Sequence, residues 1–127
     1  MISNQKLKAD IIMENDKCLA FMDINPISDG HILVIPKKHF KNLSSCEDEY
    51  LKELIVMVKD VGLLVNNSNL DNWGINYLSN EELIAGQEVM HLHVHIIPKY
   101  GKNEGLIHKV LNKNVNSLEK TKKILIK

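Results

Sequence analysis

Val89-Met90-His91-Leu92-His93-Val94-His95-Ile96-Ile97, the stretch that leads into Pro98, alternates imidazole and aliphatic side chains from His91 to Ile96. Side chains on an extended strand point to opposite faces in turn. The spacing therefore predicts a strand over Val89 to Ile97, with His91, His93 and His95 on one face and Leu92, Val94 and Ile96 on the other. The aliphatic face belongs against a core, and the imidazole face lines a site. Pro98 has no N–H to give to a ladder and is expected to end the run.

Upstream, Ser79 to Gln87 is too polar and Gly-containing for a plain hairpin, Gly74 to Leu78 reads as a strand, and Asn66 to Asn72 as a polar loop. Leu51, Leu54, Ile55, Val58, Val61 and Val65 recur at helical spacing. Glu47, Asp48 and Glu49 place negative charge where a helix dipole favours it, so one amphipathic helix is predicted from Cys46 to Val65. The first third holds three short β-rich runs, Ile11 to Glu14, Cys18 to Asp23 and His31 to Ile35. Asn15-Asp16 separates the first two, and a turn-rich stretch from Asn25-Pro26 to Asp29-Gly30 the second and third. Beyond Gly101 the chain is rich in Lys and Asn, and Ser117 to Ile126 offers Leu118, Ile124 and Leu125 as the buried side of a short terminal helix. The order of strands, helix, strands predicts an α+β fold, an antiparallel sheet with one main helix on one face. No repeat or linker divides the chain, so residues 1–127 read as a single domain with an extension over 101–127.

Lysine and arginine together number 16, as do aspartate and glutamate, so no net field draws the chain to nucleic acid or an anionic membrane. The longest apolar stretch, Leu54 to Val65, is interrupted by Lys59 and Asp60 and falls short of the ~20 residues of a membrane span. Met1 to Asp10 lacks the apolar segment of a secretory leader, which points to the cytosol. Cys18 and Cys46 are too far apart for a Cys-x-x-Cys motif and read as reduced thiols, with Cys18 packed in a strand.

Two chemistries fit the three imidazoles. One is a metal site, since imidazole is a common ligand; residues two apart can share an ion. The Cα atoms of His91 and His95 lie roughly 13 Å apart on a regular strand, which makes a three-histidine site awkward, and His31 or a carboxylate would have to complete a two-histidine one. The other is nucleophilic catalysis, in which an imidazole attacks through its unprotonated nitrogen while a hydrogen bond fixes the other. The central His93 has a neighbour on each side to orient an electrophile, and Ala85-Gly86-Gln87 could offer backbone N–H groups to phosphate oxygens.

His91-Leu92-His93-Val94-His95-Ile96-Ile97 resembles the His-φ-His-φ-His-φ-φ signature of the histidine-triad (HIT) superfamily, φ being hydrophobic. The resemblance extends to Phe21 through Pro26, to Gly30 through His39 and to Ala85-Gly86-Gln87, spanning a core of about residues 8–100, and is greatest to the Hint branch and its bacterial relatives. It implies a sheet continued across a homodimer, with a purine nucleotide site in each subunit. It implies that His93 forms a nucleotidyl-histidine, that His91 fixes its tautomer and orientation, that His95 hydrogen-bonds the α-phosphate, and that His31 lies behind the triad. Asp23 would bind the ribose hydroxyls, and Phe21, Ile24 and Leu33 would line the adenine pocket. Asn80 would touch the phosphate end, with Gly86, Gln87, Glu88 and Val89 in the phosphate loop.

Each position also has a plainer reading: Asp23 as a turn residue, Asn80 as a loop tie, Phe21, Ile24 and Leu33 as core, Lys37 and Lys38 as a solvated strand end, and His39 and His108 as surface. Where many members carry Ser or Thr after the loop Gln, this chain has Glu88, a carboxylate that would repel phosphate or, pointing inward with a raised pKa, donate a proton. The zinc-holding Cys-x-x-Cys segment of many bacterial relatives and the Trp-Pro ending of the shortest Hint proteins are both lacking. The expectation is a hydrolase of purine nucleoside 5′-phosphoramidates or related adenylates, with neither cofactor nor metal. Dinucleoside polyphosphate hydrolysis and slow nucleotide binding by a scaffold protein are the alternatives.

Overall fold

Five antiparallel strands and two helices are seen in a computed structural model that describes residues 10–113, 115 and 117–126. The segment read as lacking a leader falls, up to residue 9, outside the described residues. The strands are β1 (Ile11–Glu14), β2 (Cys18–Met22), β3 (Ile32–Pro36), β4 (Gly74–Leu78) and β5 (Val94–Lys99), and the helices are α1 (Asp48–Asn66) and α2 (Leu118–Leu125). The spatial order is β1-β2-β3-β5-β4, so the histidine-bearing strand is central, with β3 on one side and β4 on the other.

Asn15 explains the first turn: its carboxamide oxygen accepts from the N–H groups of Lys17 and Cys18 at 3.0 and 2.8 Å. Between β2 and β3, Asp23 accepts from Asn25 N–H at 2.9 Å, so its turn reading holds in this structure. Gly30, at φ +86°, is required there: a Cβ would stand 2.9 Å from Leu70 Cδ1 and 3.2 Å from Pro98 Cγ.

Period-two alternation sorts the sheet into two faces. Cys18, Ala20, Ile32, Val34, Val94 and Ile96 pack with Leu54, Met57, Val58, Val61 and Val65 of α1, whose buried residues recur at three and four as a helix stripe must. Leu19, Phe21, Leu33 and Ile35 lie on the opposite face. No helix among the described residues is long and apolar enough to cross a membrane.

Three expectations need correction. The run expected as a strand from Val89 is extended strand only from Val94, and Leu92 N–H bonds Phe40 O at 2.6 Å in the segment that leads into it. Pro98 does not end the strand, which continues to Lys99. N–H and C=O of one strand residue point to the same side. Pro98 O accepts from Ser28 Oγ at 2.6 Å, and the last residue of β5 that pairs with β3 is Ile96, opposite Ile32, so the missing N–H falls where no ladder bond is due. Finally, α2 forms as expected, capped by Ser117, but Leu118, Ile124 and Leu125 are all exposed.

Candidate active site

On the sheet face opposite α1 lies a cavity of about 470 Å³. Its floor is the end of β2, the middle of β3 and the histidine strand, represented by Phe21, Leu33, His93, His95 and Ile97. The β2–β3 loop supplies Asp23, Ile24 and His31 to one wall, and the loop before the histidines supplies Asn80, Gly86, Glu88 and Val89 to the other. Eleven of the thirteen residues singled out from the sequence thus meet in one cavity; His91 and Gln87 do not line it.

Gln87 is buried and turned into the protein, where it holds the loop: Oε1 accepts from Glu82 N–H at 2.9 Å, and Nε2 donates to Lys41 O at 2.6 Å and Val89 O at 3.1 Å. The turn it braces contains Glu82 at φ +76°, a conformation L side chains rarely adopt, and Gly86 at φ +105°. A Cβ on Gly86 would stand 3.0 Å from Asn80 Nδ2, so Asn80 lies close against the loop backbone. Glu88 is exposed on the rim and has no hydrogen-bond or ion-pair partner among the described residues.

Hydrogen bonds fix where each imidazole carries its proton. His93 Nδ1 lies 2.7 Å from the carbonyl of His91, which can only accept, so Nδ1 carries the proton and Nε2 keeps its lone pair. The backbone carbonyl of His91, not its imidazole, sets this tautomer. Ser79 Oγ donates to the carbonyl of His93 at 2.9 Å, a tie the sequence reading did not anticipate. The His91 ring is buried away from the cavity, with Nε2 against Pro36 O at 3.1 Å and Nδ1 against His39 Nδ1 at 3.1 Å.

Behind the cavity runs a second chain of bonds. Ile27 N–H donates to His31 Nδ1 at 3.1 Å, which leaves the proton of neutral His31 on Nε2, 2.9 Å from His95 Nδ1. His95 accepts there and carries its own proton on Nε2, as a neutral donor. Burial, and then the neighbouring His93 and His31, push the His95 pKa down to about 4 against the opposing pull of Asp23. Burial likewise lowers the pKa of His31, opposed by Asp23, and of His91, opposed by its bond to Pro36.

Donor atoms of Asp23, His31 and His95 all lie within 4.8 Å of one another, a candidate metal set. The tautomer argues against it. With Ile27 N–H on Nδ1, the Nε2 of neutral His31 bears a hydrogen and offers no lone pair, although the carboxylate of Asp23 stands 3.6 Å away.

Of the other lining residues, Ile97 continues the period-two count from His93 and His95 and was legible on that ground. Met22, Asn25, Ile27 and Leu78 carry no comparable signal. Lys37 and Lys38 are exposed and pair with Glu14 and Glu47 at 2.7 Å each, in keeping with a solvated strand end.

Residues 4–102 match the HIT domain. A HIT-like protein of Mycoplasma pneumoniae is 41% identical over 121 residues, covering 95% of this chain and 83% of the relative. The adenosine 5′-monophosphoramidase of Candida albicans is 37% identical over 98 residues, covering 75% and 64% respectively. Among solved structures, a member of the HIT family from Bacillus subtilis superposes with a TM-score of 0.80 at 34% identity, covering 91% of this chain and 82% of that one.

Proposed function

Because the chain belongs to the HIT family, with a matched domain over most of its length, we propose that it hydrolyses purine nucleoside 5′-phosphoramidates or related adenylates in two displacements at the α-phosphorus. The observation that carries this reading is the 2.7 Å bond from His93 Nδ1–H to the His91 carbonyl, which leaves the Nε2 lone pair as the nucleophile.

In the first displacement His93 Nε2 bonds to phosphorus as the phosphorus–nitrogen bond breaks, and the amine departs with a proton taken from water at the open rim, to be returned to solvent by the water that attacks in the second. Water then attacks the nucleotidyl-imidazole, releasing the nucleoside monophosphate and restoring neutral His93. His95 Nε2–H stabilises the charge that builds on an equatorial oxygen. The N–H groups of Ala85, Gly86 and Gln87 donate within their own turn to Glu82 O and Leu83 O, and so are not the phosphate donors their sequence position suggests. Asp23 binds the ribose hydroxyls, Phe21, Ile24 and Leu33 hold the adenine, and Asn80 and Val89 border the phosphate end, the roles the family resemblance gives them. A relative named adenosine 5′-monophosphoramidase supports this substrate class.

A homodimer accompanies this reading. β4 is an edge strand, and α1 leaves Ile55, Val56, Leu63 and Leu64 about half exposed, a surface that a second copy would cover while extending the sheet. The two buried free thiols suit a cytosolic protein.

The test is intact-mass spectrometry of protein mixed with adenosine phosphoramidate and, separately, with diadenosine polyphosphates. A nucleoside monophosphate adduct on the unmodified protein but not on His93→Ala, with phosphoramidate turned over faster, is the expected result. Undiminished turnover by folded His93→Ala would remove the nucleophile assignment, and faster polyphosphate cleavage would replace the substrate class.

A further inference from the structure

The loop that follows β3 reaches the segment that carries the nucleophile through two adjacent residues. Phe40 O accepts from Leu92 N–H at 2.6 Å, and His39 Nδ1 lies 3.1 Å from His91 Nδ1. Leu92 N–H and His91 C=O belong to the same peptide unit, whose carbonyl receives His93 Nδ1–H. One peptide plane is thus held on one side by Phe40 and sets the tautomer of His93 on the other.

The ring of His91 is fixed by the same logic. Pro36 O can only accept, so His91 Nε2 carries the proton, Nδ1 holds a lone pair, and the hydrogen between the two imidazoles belongs to His39. Nδ1–H is present on His39 in this arrangement whether or not its other nitrogen is protonated, so the contact is a donation in either state. The two rings meet edge to face with centroids 5.0 Å apart. His39 itself is exposed, lies outside the cavity and touches none of its lining histidines other than through His91.

We propose that His39 is a positioning residue for the nucleophile: by donating Nδ1–H to His91 it locks that ring and, with Phe40, the peptide whose carbonyl presents His93 Nε2. The role rests on the reading of His93 as the nucleophile. It explains why a polar contact is built between an exposed loop and a buried imidazole that itself faces no substrate.

The test compares the unmodified protein with His39→Ala and His39→Asn, since the Asn side-chain amide places an N–H donor close to where His Nδ1–H stands. For adenosine phosphoramidate, His39→Ala is expected to lower kcat about tenfold, with KM within about twofold, because misorientation of a reacting group acts on the transition state more than on binding. His39→Asn is expected to recover most of the loss. Nitrogen-15 NMR of the imidazoles should show the Nε2–H tautomer of His91 in all three proteins, since Pro36 O fixes it, and a His91 Nδ1 resonance shifted by an accepted hydrogen bond in the unmodified protein and in His39→Asn but not in His39→Ala. An unchanged kcat in His39→Ala, an equal fall in His39→Asn, or a His91 proton resident on Nδ1 in the unmodified protein would each overturn the proposal. A protein that turned over no nucleotide would sink the hydrolase reading alone; the His91 Nδ1 resonance in His39→Ala would still decide whether His39 holds that ring.

Discussion

His31 Nε2 stands 2.9 Å from His95 Nδ1, and the backbone N–H of Ile27, on the far side of the His31 ring, determines which of the two gives the hydrogen. A main-chain amide cannot exchange roles, so the direction of donation runs from Ile27 through His31 to the cavity and leaves His95 with its own hydrogen outward.

His31→Ala should therefore cost activity through His95 rather than through binding. The expected loss is about 30-fold in kcat, within the range found for partners that orient a functional imidazole. His31→Gln, whose amide can still donate toward His95 Nδ1, should fall by less than His31→Ala. Steady-state kinetics of the two variants checks this; equal losses would show that bulk, not donation, matters at this position.

Turnover should be independent of added or resident metal. The same hydrogen on His31 Nε2 that serves His95 blocks the Asp23, His31 and His95 donor set. Exhaustive dialysis against a chelator is expected to leave kcat and Tm unchanged. A stoichiometric metal in the purified protein, lost along with activity, would contradict the tautomer assigned to His31.

Stability should decline in acid. The pKa values of His95, His31 and His91 are lowered in the fold, that of His95 to about 4, against an ordinary value near 6.5. Between these values the unfolded chain binds protons that the folded one refuses, so the stabilisation, full above pH ~6.5, is lost as pH falls toward 4. Melting curves at pH 7.5, 5.5 and 4.5 should show a progressive drop in Tm, shallower in His95→Gln. The same slope in both proteins would mean that His95 does not contribute.

Gln87→Ala removes three hydrogen bonds from a buried side chain and leaves Glu82 N–H, Lys41 O and Val89 O without their partner. A loss of about 3 kcal/mol is expected from unsatisfied groups of this kind, together with weaker nucleotide binding as the loop relaxes. Denaturant unfolding and a nucleotide titration measure the two effects. Loss of neither would show that the turn holds itself.

Glu88→Gln removes a negative charge from the rim of a cavity read as a phosphate site. KM for an anionic substrate should fall about twofold, since an exposed charge interacts weakly across solvent. If instead kcat drops for a phosphoramidate and not for an activated aryl phosphoester, Glu88 supplies the proton to the leaving amine.

The sheet was legible where periodicity is unambiguous: Gly74 to Leu78 was bounded as found, and the Leu92, Val94 and Ile96 stripe enters the core beside α1. The same alternation said nothing about where the ladder begins, because Leu92 finds its partner in Phe40 instead of a neighbouring strand. His39 reads as a surface residue in the sequence and is indeed exposed, but its pairing with His91 across 52 residues leaves no local trace. Gln87 matched the phosphate-loop pattern, but pattern alone does not distinguish a side chain that faces a ligand from one that braces the turn behind it. The terminal helix shows the converse: Leu118 and Leu125 form an apolar side, yet an amphipathic pattern does not say what covers it.

The cavity and the main core occupy opposite faces of one sheet, and only the strands are common to both. Cavity walls such as Ile24 and Val89, 53% and 39% exposed, can change without opening a void against α1. Selection on leaving group or base can then proceed by single substitutions that stay clear of the stability threshold, and descendants of such a chain can diverge in substrate while their folding equilibrium stays nearly constant.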